Sequence, residues 1–337
     1  MTARLGIAWA GLAALTLGLA LLGVAFGATP LPVGAVGRVL GALVVPGLDA
    51  GVTGPVHRIV LDLRLPRVIL AATVGAGLAT VGLLLQTTTR NDLADPFLFG
   101  LSSGAAAGAV SVIRLFGDRL GPWTVPVAAF AGALVSAAAV LVLVGHERDR
   151  GPERLVIAGL AVSFLFGALT MMVVFSGDQR AAASILFWSV GGLGLASWSN
   201  VPLALFGTAV AVGTALGARH RLDALLAGEG TAASLGIPVA RFRLLVFAAA
   251  ALATATLVAL AGVIGFVGLM VPHLARPLAG LRHGPLTVTA ALLGAALLLG
   301  GDLASRILLA PQELPVGIVT AAAGGFFVLT LLWRRQE

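Results

Sequence analysis

The sequence contains neither cysteine nor lysine among its 337 residues. Without cysteine the chain cannot form a disulfide, a thiolate metal site or a cysteine nucleophile. Without lysine it cannot contain the Gly-x-x-x-x-Gly-Lys loop that holds the terminal phosphates of a nucleotide. Hydrolysis of ATP by a P-loop of its own is therefore excluded.

Charged residues are also scarce. They make up 10% of the chain, against 59% hydrophobic residues and a mean hydropathy of +1.05. A soluble domain carries about a quarter charged residues, and so few charges cannot cover a water-soluble globule of this size. The net charge of +7 comes entirely from arginine. In a membrane protein such arginines anchor loops beside anionic lipid headgroups, so we predict contacts with membrane lipid and no nucleic-acid partner.

Apolar runs alternate with polar loops along the chain. Crossing about 30 Å of hydrocarbon takes roughly 20 helical residues, and fewer where neighbours shelter a short helix. The first run is longer than a signal-peptide core and is predicted as a retained helix. We predict one all-α transmembrane domain over residues 1–337 with ten spans: Leu5–Phe26, Leu65–Leu85, Leu98–Ile113, Trp123–Val144, Leu155–Phe175, Val201–Ala218, Leu244–Leu260, Val263–Leu274, Leu286–Leu299 and Pro315–Leu332.

The arginines are distributed unevenly between the two sets of loops. With the N-terminus inside, 13 fall in inner loops and 8 in outer loops, which favours cytoplasmic termini by the positive-inside rule. Two outer stretches contain apolar segments too short to cross. We predict Val33–Val45 as a helix along the interface and residues 184–192 as a re-entrant or surface helix.

The longest inner loop, about residues 219–240, lies between the sixth and seventh spans. Apolar residues repeat there at helical spacing in two groups: Leu222, Leu225 and Leu226, then Ala232, Ala233 and Leu235. We predict two short helices joined by a glycine turn at Gly228–Gly230, the second ended by Gly236 and Pro238. An apolar ridge with a charged rim suits the groove of a partner protein. A position flat on the membrane surface is the alternative.

The segment Glu229-Gly-Thr-Ala-Ala-Ser-Leu-Gly236 resembles the coupling loop of ABC importer permeases. The whole chain resembles the FecCD/BtuC-like permease family of type II ABC importers, which carry iron–siderophore complexes, haem and cobalamin. The matching stretches follow the family's order: Leu63–Arg67, Gln86–Pro96, Gly100–Gly104, Gly265–Arg276 and Ala310–Gly317. Asp92 departs from the pattern, because the family usually has proline there, and we expect the fold to stay intact.

The resemblance implies a BtuC-like fold of ten helices in a bacterial cytoplasmic membrane. It also implies a homodimer with the path on its two-fold axis, two separate ATP-binding-cassette ATPase subunits, and a periplasmic or lipid-anchored binding protein. No cofactor is expected on this chain, since ATP and Mg belong to the partner ATPase. A ferric siderophore is the first expectation for the cargo, with haem and cobalamin as alternatives.

The resemblance further assigns roles to individual residues. The ATPase-coupling residues would be Leu222, Leu225, Leu226, Glu229, Ala232, Ala233, Leu235 and Gly236. Glu229 would either cap the helix that follows or pair with an arginine of the partner. Coupling here means that movement of the ATPase subunits opens the path between the two permease subunits.

Arginines are the residues that the resemblance assigns to the outer side. Arg64, Arg67 and Arg306 match outward-facing positions that pair with acidic residues of the binding protein, because arginine makes oriented, bidentate contacts with carboxylates. Interfacial anchoring is the alternative for these arginines. Arg180, at the outer mouth of the path, would attract an anionic chelate or haem propionates, or would pair with Asp178.

Two other classes of protein compete with a transporter subunit powered by a separate ATPase. An ion-coupled secondary transporter needs ionisable residues within its spans, and the predicted spans have almost none. An intramembrane metalloenzyme needs clustered ligands, and none of the 5 histidines is spaced as a metal pair. His273, Met171 and Met172 are interpreted as packing residues. We therefore expect a transporter subunit and not an enzyme.

Overall fold

The computed structural model describes residues 2–45, 51, 54–116, 121–145, 152–176 and 188–334, and every regular element among them is a helix. In chain order these are α1 (Thr2–Ala25), α2 (Val33–Val44), α3 (Pro55–Arg58), a π-helical segment (Ile59–Arg64), α4 (Leu65–Thr89), α5 (Leu101–Phe116), α6 (Thr124–Gly145), α7 (Pro152–Phe175), α8 (Val201–Gly217), α9 (Arg219–Leu226), α10 (Glu229–Ser234), α11 (Val239–Ala261), α12 (Val267–Ala279), α13 (His283–Ile307) and α14 (Val316–Arg334). The prediction of an all-α membrane protein is confirmed.

Each of the ten predicted spans coincides with a helix, but the helices differ in length. Within the described residues six are long and apolar enough to cross a membrane: Arg4–Ala25, Pro55–Thr89, Thr124–Gly145, Pro152–Phe175, Val239–Ala261 and His283–Ile307. α8 and α9 together would make a seventh, bent by 63° between them. α5 has 16 residues and α12 only 13. At 1.5 Å per residue these two rise about 24 Å and 20 Å, so neighbouring protein must shelter the backbone that completes them.

The eighth predicted span begins too early. Residues 262–266 are not helical, and the helix runs over Val267–Ala279 instead of Val263–Leu274. Gly262 and Phe266 both have φ of 67°, a left-handed backbone conformation that ends α11 and turns the chain before α12. The prediction is wrong over these residues because hydrophobicity does not reveal a reversal of backbone direction.

The two short outer segments have different outcomes. α2 confirms the helix predicted at Val33–Val45. Of residues 184–192, the first four lie outside the described part of the chain, and residues 190–200 form turns. This stretch is held by backbone hydrogen bonds from Gly192 N–H to the carbonyl oxygen of Ala261 at 2.9 Å and from Gly317 N–H to that of Gly191 at 3.3 Å. It therefore connects the end of α11 to the start of α14.

α4 is the central helix of the bundle and is buried along most of its length. It meets two neighbours backbone to backbone: a Cβ atom on Gly75 would lie 2.2 Å from the carbonyl oxygen of Gly294 in α13, and one on Gly82 would lie 1.9 Å from that of Gly268 in α12. Such close approach is typical of helix contacts in membranes, where packing replaces the hydrophobic drive. By contrast α1 and α7 expose most of their apolar side chains.

Candidate docking sites

The loop after α8 contains the two short helices that the sequence predicts. α9 and α10 are separated by Ala227 and Gly228, and Gly228 has φ of 122°. Gly236 follows α10 with φ of 77°, and Pro238 precedes α11. One detail differs from the prediction: Gly230 lies inside α10 and not in the turn.

The residues predicted to couple to an ATPase divide into two groups. Leu222, Leu225 and Ala232 are fully buried and pack with Leu84, Phe242 and Val246, so they attach α9 and α10 to the bundle. Leu226 and Leu235 are 44% and 67% exposed, and Ala233 and Gly236 are exposed beside them. Only the exposed group is available to a partner. The predicted apolar ridge is therefore divided, with about half of its residues buried against the bundle.

Glu229, the first residue of α10, pairs with an arginine of its own chain. Its Oε1 accepts a hydrogen bond of 2.6 Å from Nη2 of Arg243 in α11, and the Arg243 side chain is 2% exposed. Nε of the same arginine donates to the carbonyl oxygen of Thr88, 2.9 Å away, at the end of α4. The two roles predicted for Glu229 were to cap the following helix or to pair with an arginine of the partner. In the structure its ion pair is with an arginine of its own chain, and its carboxylate also places negative charge at the N-terminus of α10.

Asp223 of α9 makes a second internal polar contact, with His283. Its Oδ1 lies 2.6 Å from His283 Nδ1 and accepts a 2.8 Å hydrogen bond from the His283 backbone N–H. The carboxylate thereby caps the N-terminus of α13 from another helix. On the far side of the ring, Nε2 lies 2.8 Å from Oγ1 of Thr87, again in the last turn of α4.

The segment Gln86–Pro96, one of the stretches that resemble the family, forms a polar junction between α4 and α12. Gln86 donates to the carbonyl oxygens of Gly268 and Leu269 at 3.1 and 3.2 Å and accepts from Arg276 at 2.8 Å. Asp92, the position that departs from the family pattern, forms a 3.0 Å ion pair with the same Arg276. The departure therefore adds a contact within the fold.

Asp95, in the loop after α4, is buried against the start of α12. Burial raises the pKa of its carboxyl group to about 6, although hydrogen bonds from the backbone N–H groups of Phe97 and Leu269 act in the opposite direction. The carboxyl group therefore joins the α4–α5 loop to α12.

At the opposite end of the bundle, two arginines hold the C-terminus of α1. Arg64 donates to the carbonyl oxygens of Val24 at 3.0 Å and Ala25 at 2.7 Å, and also to that of Thr29. Arg306 donates to the carbonyl oxygens of Gly23 at 2.9 Å and Phe26 at 3.1 Å. The last carbonyl groups of a helix lack intrahelical partners and attract cations, so the two guanidinium groups satisfy the end of α1.

Arg67 lies beside this pair and is linked to it through Asp302. Nε of Arg67 is 2.8 Å from Asp302 Oδ1 and Nη1 is 2.7 Å from Glu313 Oε2. The other oxygen of Asp302 lies 2.9 Å from Nη2 of Arg306, a close ion pair not aligned as a hydrogen bond, and within the described residues neither atom has a hydrogen-bond partner.

The structure brings the three arginines together, but not as free outward-facing groups. Arg64 is 6% and Arg306 2% exposed, and both are occupied by backbone carbonyls of their own chain. This corrects the expectation that their guanidinium groups face outward. Of the three, Arg67 reaches the most accessible partner, Glu313, whose side chain is 39% exposed. Contact with a binding protein stays a prediction.

The remaining predicted residues lie apart from both ends. Arg180 and Asp178 are outside the described residues. Met171 and Met172 are 69% and 64% exposed on α7, so they lie outside the packed core of this chain. His273 packs edge-to-face on Phe327 with ring centroids 5.5 Å apart, in agreement with a structural role.

Sequence reasoning missed the importance of Arg243, Asp223 and His283. Arg243 and His283 were counted as loop residues because the predicted seventh and ninth spans began after them, whereas the helices begin at Val239 and His283. The signal that was present is their position next to apolar runs, where a charged or imidazole side chain needs a partner.

Buried charge is concentrated at the two ends of the bundle. Among the described residues the buried ionisable side chains are Arg64, Asp95, Arg243, His283, Asp302 and Arg306. Each pairs or bonds within a cluster near a helix end, and the part of the chain that the structure describes has no group of three potential metal ligands. This arrangement, in a bundle of helices long and apolar enough to cross a membrane, defines a polytopic membrane protein.

Comparison with known proteins places the chain within that class. It belongs to the FecCD transport family, which matches residues 8–334. The cobalamin import permease BtuC of Halobacterium salinarum is 41% identical over 86% of this chain and 77% of its own length. The hemin transport permease HmuU of Yersinia pestis is 37% identical over 82% and 84%. A solved metal-chelate type ABC transporter in an inward-facing conformation is 29% identical and superposes with a TM-score of 0.83 over 97% of this chain and 98% of that one. The chain is therefore a multi-pass membrane permease of ABC importer type.

Proposed function

We propose that this chain forms, as a homodimer in a bacterial cytoplasmic membrane, the path through which an ABC importer moves a metal chelate to the cytoplasm. A binding protein delivers the chelate at the end that carries Arg67 and Glu313. ATP hydrolysis by two separate ATPase subunits drives alternating access between the subunits. The α9–α10 end and both termini face the cytoplasm, in agreement with the arginine distribution.

The observation that carries the proposal is the exposed apolar surface of Leu226, Ala233, Leu235 and Gly236 at the ends of α9 and α10. Large apolar side chains exposed to water mark interaction sites when they cluster. The buried faces of the same two helices attach them to the bundle. A partner that grips the exposed surface would therefore act on the bundle and not on a loose loop.

The partner must supply the nucleotide site, since this chain has no lysine for a P-loop. A groove in the ATPase that accepts a short helix pair would match the size and chemistry of this surface. Attachment of the ATPase through α9 and α10 can be tested directly, because Leu235 is 67% exposed and makes no contribution to the described hydrophobic core.

The test is reconstitution of the permease with its cognate ATPase and binding protein in proteoliposomes. Leu235→Asp places a charge on the proposed surface and should lower ATP-dependent uptake by at least about tenfold, a loss typical of a central interface residue. Adding Gly236→Asp should deepen the loss. Gly236 has φ of 77°, however, so this second change also strains the turn.

Leu281→Asp is the matched control. Leu281 is 58% exposed in the loop before α13, at the same end of the bundle but outside α9 and α10. The control should keep uptake and co-purification with the ATPase. Full uptake by the Leu235→Asp variant, or transport by the permease without any ATPase, would overturn the proposal.

A ferric siderophore is our first candidate for the cargo, and cobalamin, the cargo named for a relative, is the second. The 41% identical relative is named for cobalamin import, whereas a Bacillus subtilis relative named as a probable siderophore permease is 34% identical. Uptake of an iron-55 siderophore complex and of cobalt-57 cobalamin by the same proteoliposomes separates the two. Haemin, the named cargo of the Yersinia pestis relative, forms the third arm.

A further inference from the structure

The two docking helices are each connected to α4 by a buried polar contact, an ion pair from α10 and a hydrogen bond from α9. On α10, Glu229 pairs with Arg243 at 2.6 Å, and Arg243 donates to the carbonyl oxygen of Thr88 at 2.9 Å. On α9, Asp223 pairs with His283 at 2.6 Å, and His283 lies 2.8 Å from Oγ1 of Thr87. We call these the Arg243 tether and the His283 tether.

The tethers end on consecutive residues of α4. Thr87 and Thr88 lie in its last turn, where carbonyl groups have no partner within the helix. The Arg243 guanidinium satisfies the Thr88 carbonyl group and His283 lies beside the Thr87 hydroxyl group, so the contacts from α9 and α10 meet one turn of α4. Apolar packing of Leu222, Leu225 and Ala232 also attaches the two helices to the bundle, but apolar packing has no preferred direction. The two tethers, by contrast, connect the helices to one turn of α4.

Burial makes the tethers stiff. Arg243 and His283 are 2% and 1% exposed, so water cannot readily replace either partner. Their acidic partners Glu229 and Asp223 are 37% and 33% exposed and lie on α10 and α9. Each tether therefore has a half-exposed acidic end on a docking helix and a buried end in the bundle.

α4 cannot absorb a displacement locally, because it touches α12 and α13 backbone to backbone at Gly82 and Gly75. Packed elements of this kind move as units and not by continuous deformation. A push on α9 and α10 delivered through the tethers would therefore be passed to α12 and α13.

We infer that Arg243 and His283 are positioning residues that carry the movement of α9 and α10 to the inner end of α4. The inference rests on the proposed function, because it assumes that an ATPase moves the two helices. It adds the route inside the permease: one ion-paired and one hydrogen-bonded tether, one from each docking helix, converging on Thr88 and Thr87.

The test compares uptake per ATP hydrolysed in the reconstituted complex. Glu229→Gln together with Asp223→Asn keeps the size of both side chains and leaves the exposed docking residues unchanged. We expect the variant to co-purify with the ATPase and to hydrolyse ATP, while uptake per ATP falls about tenfold, within the usual range of coupling between sites. Asp92→Asn, which removes the 3.0 Å ion pair with Arg276 at the same end, is the control and should keep the ratio.

Chemical rescue separates positioning from a purely structural role. The chain has no cysteine, so Glu229→Cys with Thr88→Cys introduces the only two thiols in the permease and places one on α10 and one on α4. A short thiol-specific cross-linker should restore uptake per ATP in this variant, and the Glu229→Cys single variant treated in the same way should stay uncoupled.

The outcomes distinguish this inference from the proposed function. Unchanged uptake per ATP in the Glu229→Gln, Asp223→Asn variant would overturn the inferred role of the tethers. A cross-linked variant that stays uncoupled although the complex is assembled would overturn it as well. If the wild-type permease itself neither binds the ATPase nor transports, the proposed function fails first.

Discussion

Asp302 Oδ1 accepts a hydrogen bond of 2.8 Å from Nε of Arg67, and both side chains are shielded from water, at 1% and 13% exposure. The second oxygen of Asp302 lies 2.9 Å from Arg306. One carboxylate in α13 thus compensates two arginines, and through Arg306 it supports the end of α1. Loss of this single negative charge would leave Arg306 buried without its carboxylate partner and Arg67 with Glu313 alone.

We predict that Asp302→Asn lowers the free energy of unfolding by about 3–5 kcal/mol, the usual cost of removing one partner of a buried ion pair. Denaturation of the purified permease in detergent measures the change. Glu313→Gln is the control: its pair with Arg67 is partly exposed, so its loss should cost less than about 1 kcal/mol. Equal effects of the two variants would show that Asp302 does not compensate the arginines.

A second prediction concerns the attachment of α1. Arg306→Lys should loosen its C-terminal end, because the guanidinium bonds the carbonyl groups of Gly23 and Phe26 through Nη1 while Nη2 faces Asp302, and a lysine has a single nitrogen for all three partners. Val24 is 3% exposed, so a Val24→Cys thiol should react slowly with maleimide in the parent chain and several times faster with Arg306→Lys. Arg38→Lys, at an exposed position, should leave the labelling rate unchanged; equal rates in all three chains would contradict the role of Arg306.

A third prediction tests the backbone contact between α4 and α12. Gly82→Ala should destabilise the permease by about 1–3 kcal/mol or prevent folding, because its methyl group would lie 1.9 Å from the carbonyl oxygen of Gly268. Thermal unfolding followed by size-exclusion chromatography measures the effect. Gly213→Ala in α8 is the control, since its methyl group meets no atom within 4 Å. A Gly82→Ala variant as stable as this control would mean that the two helices are not in close contact.

The fourth prediction is a pH dependence from Asp95. Its pKa is about 6 in the folded chain, above the ordinary value of 3.8, so the folded state binds the proton more tightly than the unfolded state. The proton therefore stabilises the fold below about pH 4, and this stabilisation is lost as the pH rises through about 6. The whole difference is about 3 kcal/mol at most.

Asp95→Asn isolates this contribution. The stability of the parent chain relative to the variant should increase as the pH is lowered from 7.5 to 4.5, measured by unfolding of both proteins in the same detergent. A difference that does not change over this interval would show that Asp95 titrates as an ordinary exposed carboxyl group.

The inner loop illustrates how far local patterns reach. The spacing of Leu222, Leu225 and Leu226 predicted a helix, and the glycines predicted where it ends, because both properties depend on neighbours in the chain. The same spacing could not tell which leucines face the bundle. Leu222 and Leu225 are buried and Leu226 is 44% exposed because α8 and α9 meet at a bend of 63°, and that angle is set by tertiary packing.

The outer arginines illustrate the opposite case. The resemblance assigned Arg64, Arg67 and Arg306 to one side of the membrane, and the structure places them at one end of the bundle. The resemblance did not predict that two of the guanidinium groups are used inside the chain, since their acceptors are backbone carbonyls at the end of α1, which every sequence provides. Arg306 and Gly23 are separated by 283 positions, so no local pattern contains the contact.

The amino-acid sequence alone determined that the chain spans a membrane many times, has no P-loop and presents two short helices after its sixth span, because composition and spacing act over a few residues. Tertiary structure decided which face of those helices is free, which acids hold Arg243 and His283, and where the chain turns at Gly262 and Phe266. These depend on groups far apart in sequence, whose pairing becomes favourable only when packing removes water from both.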